Sequence, residues 1–310
     1  MSERQWLPIT PAEYHALDAL GSSAIRCFAL EGQLEFYARF VAKKKPKPDT
    51  DAMRLGRAFH AAMEGDENWE DRYAIVPDVI ADDPIAQDVN DGMETVGSKA
   101  KQCIPGDEIN PRYPSHRAYM EAHRQSAIDS GKDWMTPAES ERVKGQVAAV
   151  YDNPDCRELL SLNTNLLSEV ACVYEHAGVK RKALIDRVVG DGIVDYKSTC
   201  QSSPLEFLRD AKRRGYDYQL GDQLWITGKL WAAIISVNDE YPFEAHAWDM
   251  PPALMTIRAE DAKRHTEAIG QLQKMALIDQ QDSQGIGLSW HNDLWGSRLQ
   301  FDFNAMGATL

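Results

Sequence analysis

Three features are missing from the sequence, and each absence excludes a class of protein. No apolar run is long enough to span a membrane, and the N-terminal MSERQWLPIT lacks the apolar core of a signal peptide. The five cysteines are scattered and never occur in CxxC spacing, which is typical of reduced intracellular thiols and not of a disulfide framework, a zinc site or an iron–sulfur cluster. We therefore expect a cytoplasmic protein without membrane contact, disulfides or an iron–sulfur cluster.

An excess of basic charge is also missing. The chain has 34 Lys and Arg against 48 Asp and Glu, a net charge of −14, which argues against nucleic-acid binding by a generally basic surface. A local basic track is compatible with this balance. The ordinary interpretation of a charge run is a solvated surface. The two basic clusters consist of Arg39, Lys43, Lys44, Lys45 and Lys47, and of Lys212, Arg213 and Arg214.

Hydrophobic spacing predicts a mainly helical N-terminal half. Thr136-Pro137 followed by Glu139 is the capping-box pattern with proline just inside the cap, which marks a helix start. Residues 66–115 are rich in Asp, Pro and Gly, so we expect mostly loops there, with a short strand and one small helix. The helices are predicted over 21–41, 53–64, 115–130, 137–151 and 156–162, and the strand over 73–76.

Alternation of apolar and polar residues takes over in the C-terminal half. Strand 167–176 is expected to turn near Ala177-Gly178 into strand 180–189, which continues through a hairpin to residue 199. The later elements are predicted as helices over 204–214, 216–230 and 257–279 and as strands over 231–238 and 243–250.

The hairpin ALIDRVVGDGIVDYKST, residues 183–199, carries the functional interpretation. Apolar strand formers flank a tight turn at residues 190–192. If Gly190-Asp191 is the turn, Asp186 pairs with Asp195; if Asp191-Gly192 is the turn, Asp186 pairs with Lys197. Because side chains alternate along a strand, both registers put Asp186, Asp195 and Lys197 on one face. A three-residue loop would not.

Two carboxylates directly across a hairpin lie about 5 Å apart at Cβ, and like charges there are destabilising. A bound divalent cation would offset the repulsion between the two carboxylates, and hard oxygen ligands of this kind suit magnesium or manganese. With a turn at Ala177-Gly178, Glu169 pairs with Asp186; with a turn one residue later, it pairs with Val188. Either way Glu169 joins the acidic face. The alternative is an exposed face that carries these charges by chance, and three carboxylates with a lysine favour the metal site.

The order helix, three antiparallel strands carrying D-x8-D-x-K, two helices and a strand resembles the PD-(D/E)xK nuclease core. Asp186 stands in the first half-motif and Asp195-Tyr196-Lys197 in the second. Residues 55–60, LGRAFH, resemble the LGxxxH helix of RecE-type and RecB-type nucleases, and residues 215–219, GYDYQ, resemble their G-Y-x-Y-Q motif. The segments SSAIRCF, TPAESERVKGQVAAVYDNP and VNDEYPFEAHAWDM resemble the RecE-type (exodeoxyribonuclease VIII-like) domain. The resemblance covers roughly residues 21–295.

The resemblance implies a restriction-endonuclease-like α/β (α+β) fold with a central mixed sheet flanked by helices. It implies one nuclease domain over 1–310, divided into a mainly helical part (1–160), a catalytic sheet core (161–250) and a C-terminal helix and tail (251–310). The tail from residue 285 is aromatic and apolar but not periodic. We expect it to dock on the domain or on a neighbouring subunit.

The resemblance also implies a metal site. Asp186 and Asp195 would hold Mg2+ or Mn2+ with the main-chain carbonyl of Tyr196, and Glu169 would bind the ion directly or through water. His60 becomes a metal ligand, although a lone histidine beside an apolar stripe is more often a core or surface residue.

The remaining implied roles concern the substrate. Lys197 would position the attacking water and stabilise charge on the phosphate. Tyr218 and Gln219 would contact the DNA backbone or fix Lys197. The weaker candidates for phosphate contacts are Ser198, Thr199, Lys212, Arg213 and Arg214.

The activity implied by the resemblance is 5′ to 3′ degradation of one strand from the ends of linear double-stranded DNA, in phage or prophage recombination within a bacterial host cell. It includes a homo-oligomeric ring and a single-strand annealing partner of the RecT type. One alternative is a catalytically inactive nuclease fold that binds DNA ends or a protein, but every charged position of the motif is filled. Another is a RecB-type or CRISPR-type nuclease, whose C-terminal cysteine cluster is missing because no cysteine follows Cys200.

Overall fold

The computed structural model of the chain describes residues 3–46, 48–64, 69–93, 102–162, 167–201 and 203–282. Two predictions concern residues outside these ranges. One is the assignment of Lys47 to the first basic cluster, and the other is the docking of the tail from residue 285.

The N-terminal segment was predicted as one long helix over 21–41, and this prediction was wrong. Gly32 adopts a left-handed backbone (φ 91°) that separates two helices, and a π-helical turn follows at Tyr37–Val41. The helix predicted over 53–64 is confirmed. The elements are β1 (Gln5–Leu7), α1 (Pro11–Ala16), α2 (Ser22–Leu30), α3 (Gln33–Phe36) and α4 (Asp51–Met63).

The next part of the chain adds a small sheet and four helices. The predicted capping box is present, because Thr136 Oγ1 accepts a hydrogen bond from Glu139 N–H while the Glu139 carboxylate accepts one from Thr136 N–H. The second strand of the small parallel sheet was not predicted. The elements are β2 (Tyr73–Ile75), α5 (Pro84–Met93), α6 (Pro114–Asp129), β3 (Asp133–Met135), α7 (Pro137–Asp152) and α8 (Pro154–Ser161).

The C-terminal half completes a six-stranded central sheet of order β1-β4-β5-β6-β7-β8. The pair β6–β7 is parallel and the other neighbours are antiparallel, so the predicted mixed sheet flanked by helices is confirmed. The elements are β4 (Leu167–His176), β5 (Val179–Val189), β6 (Gly192–Thr199), α9 (Pro204–Arg214), α10 (Tyr216–Thr227), β7 (Trp231–Asn238), β8 (Ala245–Asp249) and α11 (Pro252–Asp282).

Both disputed turns have two residues. His176 lies opposite Val179, so Ala177-Gly178 forms the first turn. Val189 lies opposite Gly192, so Gly190-Asp191 forms the second and a three-residue loop is excluded. Continued along the strands, these registers place Asp186 between Glu169 on one neighbour and Asp195 on the other.

Helices cover both faces of the sheet, and a hydrophobic cluster lies under each layer. Burying one such aliphatic or aromatic side chain contributes about 1.5–3 kcal/mol to stability. Burial of these side chains therefore stabilises the packing of each helical layer on the sheet. On one face, α9, α10 and α11 contribute Phe207, Leu220, Leu224, Ile226 and Met255. On the other face, α4, α7 and α8 contribute Phe59, Met63, Val150, Leu159 and Leu160.

The strands β5 and β6 separate part of the way along their length. Their pairing stops at Arg187 and Val194, whereas β6 continues to pair with β7 as far as Thr199. The freed edge of β5 pairs instead with Leu20, which donates to the Lys180 carbonyl (2.9 Å) and accepts from Lys182 N–H (3.0 Å). We call the point of separation beyond Arg187 and Val194 the strand fork.

Within the described ranges, every helix is too short or too polar to cross a lipid bilayer.

Candidate active site

Asp186 lies at the strand fork. Its Oδ2 accepts a hydrogen bond from Tyr196 N–H (2.8 Å), so the side chain replaces the strand partner that β6 has lost there. Its Oδ1 lies 3.2 Å from Nδ1 of His60. Burial would raise the pKa of Asp186, but the charges of His60 and Lys197 outweigh burial and hold the pKa below its usual range. Asp186 is therefore an ionised carboxylate fixed at the fork.

His60 reaches the fork from α4. Its neighbour Phe59 is fully buried against the sheet, and Nε2 of His60 lies 2.9 Å from the Tyr196 carbonyl oxygen. Because that carbonyl and the Asp186 carboxylate can only accept, both ring nitrogens donate and the ring is an imidazolium. Burial would lower the pKa of His60, but the Asp186 charge outweighs it and the pKa is raised. A metal ligand must be a neutral ring, so His60 would have to lose this proton before it could bind an ion.

Asp195 and Lys197 project from one face of β6, as the alternation predicts. Their side chains are 5% and 15% exposed, and Nζ of Lys197 forms an ion pair with Oδ2 of Asp195. Burial raises the pKa of Asp195, and the Asp186 charge adds to this against the effect of Lys197. Burial would lower the pKa of Lys197, but the Asp195 and Asp186 carboxylates raise it. The face carries a protonated lysine beside two buried carboxylates.

Gln219 reaches this face from α10. Its Nε2 donates to Oδ1 of Asp195 (2.9 Å), so it contacts the carboxylate and not Lys197. The ring of Tyr218 packs against the Arg258 guanidinium at 3.8 Å. Tyr216 takes the place beside Lys197, with its ring centre 5.0 Å from Nζ. Sequence reasoning missed Tyr216, although the i, i+3 spacing puts it on the same helix face as Gln219.

Glu169 lies next to the fork on β4. It has a left-handed backbone (φ 45°), which is rare for a residue other than glycine. Burial raises the pKa of Glu169 to about 8, with further contributions from a hydrogen bond to Glu64 and from the Glu64 charge. Glu64 was also missed; its signal was its position four residues after His60, which places both on one face of the helix.

The predicted phosphate contacts are not gathered at this site. Ser198 Oγ accepts from Gln146 Nε2 (2.7 Å) on the α7 side of the sheet, and Thr199 Oγ1 accepts from Gln201 N–H. Arg213 and Arg214 form ion pairs with Asp210, and Lys212 is exposed. Among the described residues, no hydrogen bond or ion pair joins Ser198, Thr199, Lys212, Arg213 or Arg214 to Asp186, Asp195 or Lys197.

The donors at the fork suit a hard divalent cation. In the described part of the chain, no three His, Cys, Asp or Glu side chains form a ready cluster. An ion would therefore be held by Asp186, Asp195, the Tyr196 carbonyl and water, since magnesium usually keeps several waters and takes one or two carboxylates. Over the same ranges, Oδ2 of Asp195 has no hydrogen bond of good geometry and meets only the Lys197 charge. A buried carboxylate oxygen with spare capacity fits a cation ligand.

Comparison with known proteins gives a shared fold without shared sequence. No protein-family profile and no curated protein matches the chain. A provisionally assigned exonuclease from Eubacterium rectale is 13% identical, with 89% of this chain and 87% of that one aligned and a TM-score of 0.50.

Two further crystal structures match less well. The alkaline exonuclease LHK-Exo of Laribacter hongkongensis, in complex with dAMP, is 16% identical (74% and 98% aligned, TM-score 0.28). A phage-related exonuclease from Haemophilus somnus is 14% identical (52% and 84% aligned, TM-score 0.28). The chain therefore shares its mixed α/β fold with the Eubacterium rectale protein.

Proposed function

We propose that the chain is a metal-dependent exonuclease that hydrolyses phosphodiester bonds from the ends of linear double-stranded DNA. The observation that carries the proposal is the strand fork, where Asp186, Asp195 and Lys197 are buried together with His60 and Gln219 from two separate helices. Within the fork, His60 compensates Asp186 and Lys197 compensates Asp195, so two carboxylates are held on one side of the separated strands. The name of the Eubacterium rectale neighbour, an exonuclease, agrees with this proposal.

Each side chain has a part in this reaction. Lys197 carries a protonated amine beside Asp195, so it would orient the attacking water and stabilise charge on the phosphate oxygens. Gln219 fixes the rotamer of Asp195 by its hydrogen bond. Glu169, whose pKa burial raises to about 8, would bind the ion through water.

A divalent cation would be held by Asp186, Asp195 and the Tyr196 carbonyl, with His60 joining once it has lost a proton. Mg2+ or Mn2+ bound there supplies Lewis-acid stabilisation of the charge that develops on the phosphate and on the leaving oxygen. The protein contributes the fixed carboxylates, because the Asp186 bond to Tyr196 N–H sets the spacing of the two strands at the fork.

The RecE-type motifs support the finer parts of the proposal. They are 5′ to 3′ polarity, action in phage or prophage recombination, a homo-oligomeric ring and a RecT-type annealing partner. Duplexes labelled at the 5′ or the 3′ end decide the polarity, since only one label is released as mononucleotide at early times. Light scattering of the purified protein gives the number of subunits.

The central experiment is digestion of linear and covalently closed circular duplex DNA with and without Mg2+. We expect the linear DNA to be degraded only with Mg2+ and the closed circles to resist. Asp195→Asn should lose this activity, because the neutral amide gives the cation no charged ligand, and thermal unfolding of the variant measures what the unpaired Lys197 costs in stability. Equal digestion by Asp195→Asn and the parent would overturn the site assignment, and inactivity of the parent with intact DNA binding would favour a binding module.

A further inference from the structure

A groove of about 840 Å3 lies along the part of β5 that β6 leaves unpaired. One wall is the chain from Tyr14 to Gly21, which pairs with the freed edge of β5 through Leu20. The groove is also lined by residues 39–41 of the π-helical turn with Lys43, and by Lys180 and Lys182 of β5. The volume lies within the range of about 300–1,000 Å3 that ligand pockets have.

The lining of the groove is basic although the chain carries a net charge of −14. Among the described residues that line it, Asp18 is the one acid. The cations are Arg39, Lys43, Lys180 and Lys182, and burial together with the Lys182 charge lowers the pKa of His15, which is therefore neutral.

Two of these cations, Lys182 and Arg39, bind groups of the protein itself. The other two, Lys43 and Lys180, are exposed to a ligand in the groove. Nζ of Lys182 donates to the Tyr14 and Leu17 carbonyls at 2.9 and 2.8 Å, and Arg39 pairs with Glu31 and Glu35. Lys43 and Lys180 are exposed, and Glu175 of β4 lies opposite Lys180. The two exposed lysines point to an anionic occupant.

The groove and the strand fork lie along the same strand, β5. Lys182 and Asp186 are four residues apart on β5, about 13 Å at a strand rise of about 3.3 Å per residue. DNA carries a phosphate on each strand every 3.4 Å or so of helix axis, so a bound strand would span that distance with a few nucleotides. His15 is also close enough to Arg57 of α4 to feel its charge, and α4 carries His60 to the fork.

The segment of residues 37–43, part of which lines the groove, is unusual in its backbone. π-Helical turns are rare and occur frequently at functional sites. Lys43, which directly follows this turn, has a left-handed backbone (φ 52°). Such conformations persist where the surrounding structure holds them, so the presentation of Lys43 is built into the fold.

We infer that this groove binds the phosphate backbone of a nucleic-acid strand that leads to the strand fork. The inference rests on the proposed nuclease function. Phosphate contacts of this type position a strand and carry no sequence information, which suits an enzyme that digests any sequence. The charge of the groove explains how a chain with a net charge of −14 holds DNA.

Equilibrium binding without divalent metal tests the groove separately from hydrolysis. Fluorescence anisotropy in EDTA would measure the affinity of the full chain for a labelled single strand and for a labelled blunt duplex, over a range of salt. We expect Lys43→Glu/Lys180→Glu to bind at least about tenfold more weakly than the parent. The salt dependence should fall by about 1.4 to 1.8 in log–log slope, because each phosphate contact contributes about 0.7 on a single strand and 0.9 on a duplex.

The matched control compares Lys180→Glu with Arg157→Glu, which changes an exposed cation on α8 by the same charge. Equal weakening by the two single variants, unchanged binding by the double variant, or no binding by the parent would each overturn the groove. Groove-dependent binding without Mg2+-dependent digestion would refute the proposed function and leave the groove intact. Mg2+-dependent digestion together with binding that does not depend on the groove would refute the groove and leave the proposed function intact. Thermal unfolding of each variant checks that it is folded.

Discussion

Asp186 and Asp195 each lie beside a cation of their own chain. His60 donates to Asp186 and Lys197 pairs with Asp195. Removing one partner of a buried pair costs about 3–5 kcal/mol, because the remaining charge is left uncompensated. At the residue scale, a substitution that keeps both ion pairs and changes a residue beside them therefore separates an effect on activity from an effect on stability.

Gln219 is such a neighbour. We predict that Gln219→Ala lowers kcat for DNA digestion about 10- to 100-fold, because a hydrogen bond to a charged group contributes about 1.5–3 kcal/mol and 1.4 kcal/mol corresponds to about tenfold in rate. Gln125→Ala is the control, since Gln125 donates in the same way to Asp129 (2.7 Å) on the exposed side of α6. Equal rates for the two variants would remove Gln219 from the site.

Glu139 should make the stability of the chain depend on pH. Burial would raise its pKa, but the hydrogen bonds from Arg54 and Thr136 outweigh burial and lower it. A lowered folded pKa stabilises the protein above the unfolded value, near 4.5, and this stabilisation is lost as the pH falls through the folded pKa. We expect the free energy of unfolding of Glu139→Gln to vary less than that of the parent below about pH 5. Urea unfolding at pH 7 and pH 4 measures this. The same change in unfolding free energy in the parent and in Glu139→Gln would contradict the prediction.

The residues of the site differ in how far the sequence revealed them. Asp186, Asp195 and Lys197 follow from strand alternation and a two-residue turn, because both are local rules. His60 followed only from a resemblance, since its neighbours on α4 give no sign of a strand 136 residues later in the chain. The left-handed backbone of Glu169 has no local signal, because the sequence contains no glycine there.

At the element scale, local signals located the turns and the helix starts, whereas the length of each turn and the points where elements break came from the structure. The capping box at Thr136 and the turns at Ala177-Gly178 and Gly190-Asp191 depend on few neighbouring residues. Gly32 was read as part of a helix, because a glycine within an apolar period costs only about 1 kcal/mol. Packing decided otherwise: α2 and α3 both press aromatic rings, Phe28 and Phe36, into one cluster edge to face.

The close packing of α10 on α11 depends on Gly221. A Cβ at this position would lie 2.2 Å from Cβ of Arg258 and 2.8 Å from its carbonyl carbon, so α11 would have to shift. We predict that Gly221→Ala destabilises the chain by about 1–3 kcal/mol, the usual cost of overpacking. Gly56→Ala on α4 has nothing within 4 Å and should be stabilising by about 0.5–1 kcal/mol. Urea unfolding of both variants measures the difference, and a common sign would contradict the packing argument.

At the scale of the whole molecule, the site exists only because four distant elements meet. The helix α4 brings His60, β5 brings Asp186, β6 brings Asp195 and Lys197, and α10 brings Gln219. The separation of β5 from β6 opens the space between the carboxylates, and Leu20 closes the freed edge of β5 further along. The approach of α4 and α10 and the separation of the two strands have no local signal, so an ion that binds here binds the folded chain and not the unfolded one.

Binding of a cation at the fork should therefore raise the melting temperature. A ligand that binds only the folded state adds about 2.7 kcal/mol at a concentration of 100 times its Kd, and 1 kcal/mol shifts Tm by about 2–4 °C for chains of 150–250 residues. We expect Mn2+ or Mg2+ to raise the Tm of the parent by several degrees and to leave Asp195→Asn nearly unshifted. Asp83→Asn is the control, because Asp83 accepts from Tyr119 and contacts His123 away from the fork, so it should keep the full metal-induced shift. The same shift in all three proteins would place the ion elsewhere, and no shift in the parent would show that the two carboxylates at the fork do not hold one.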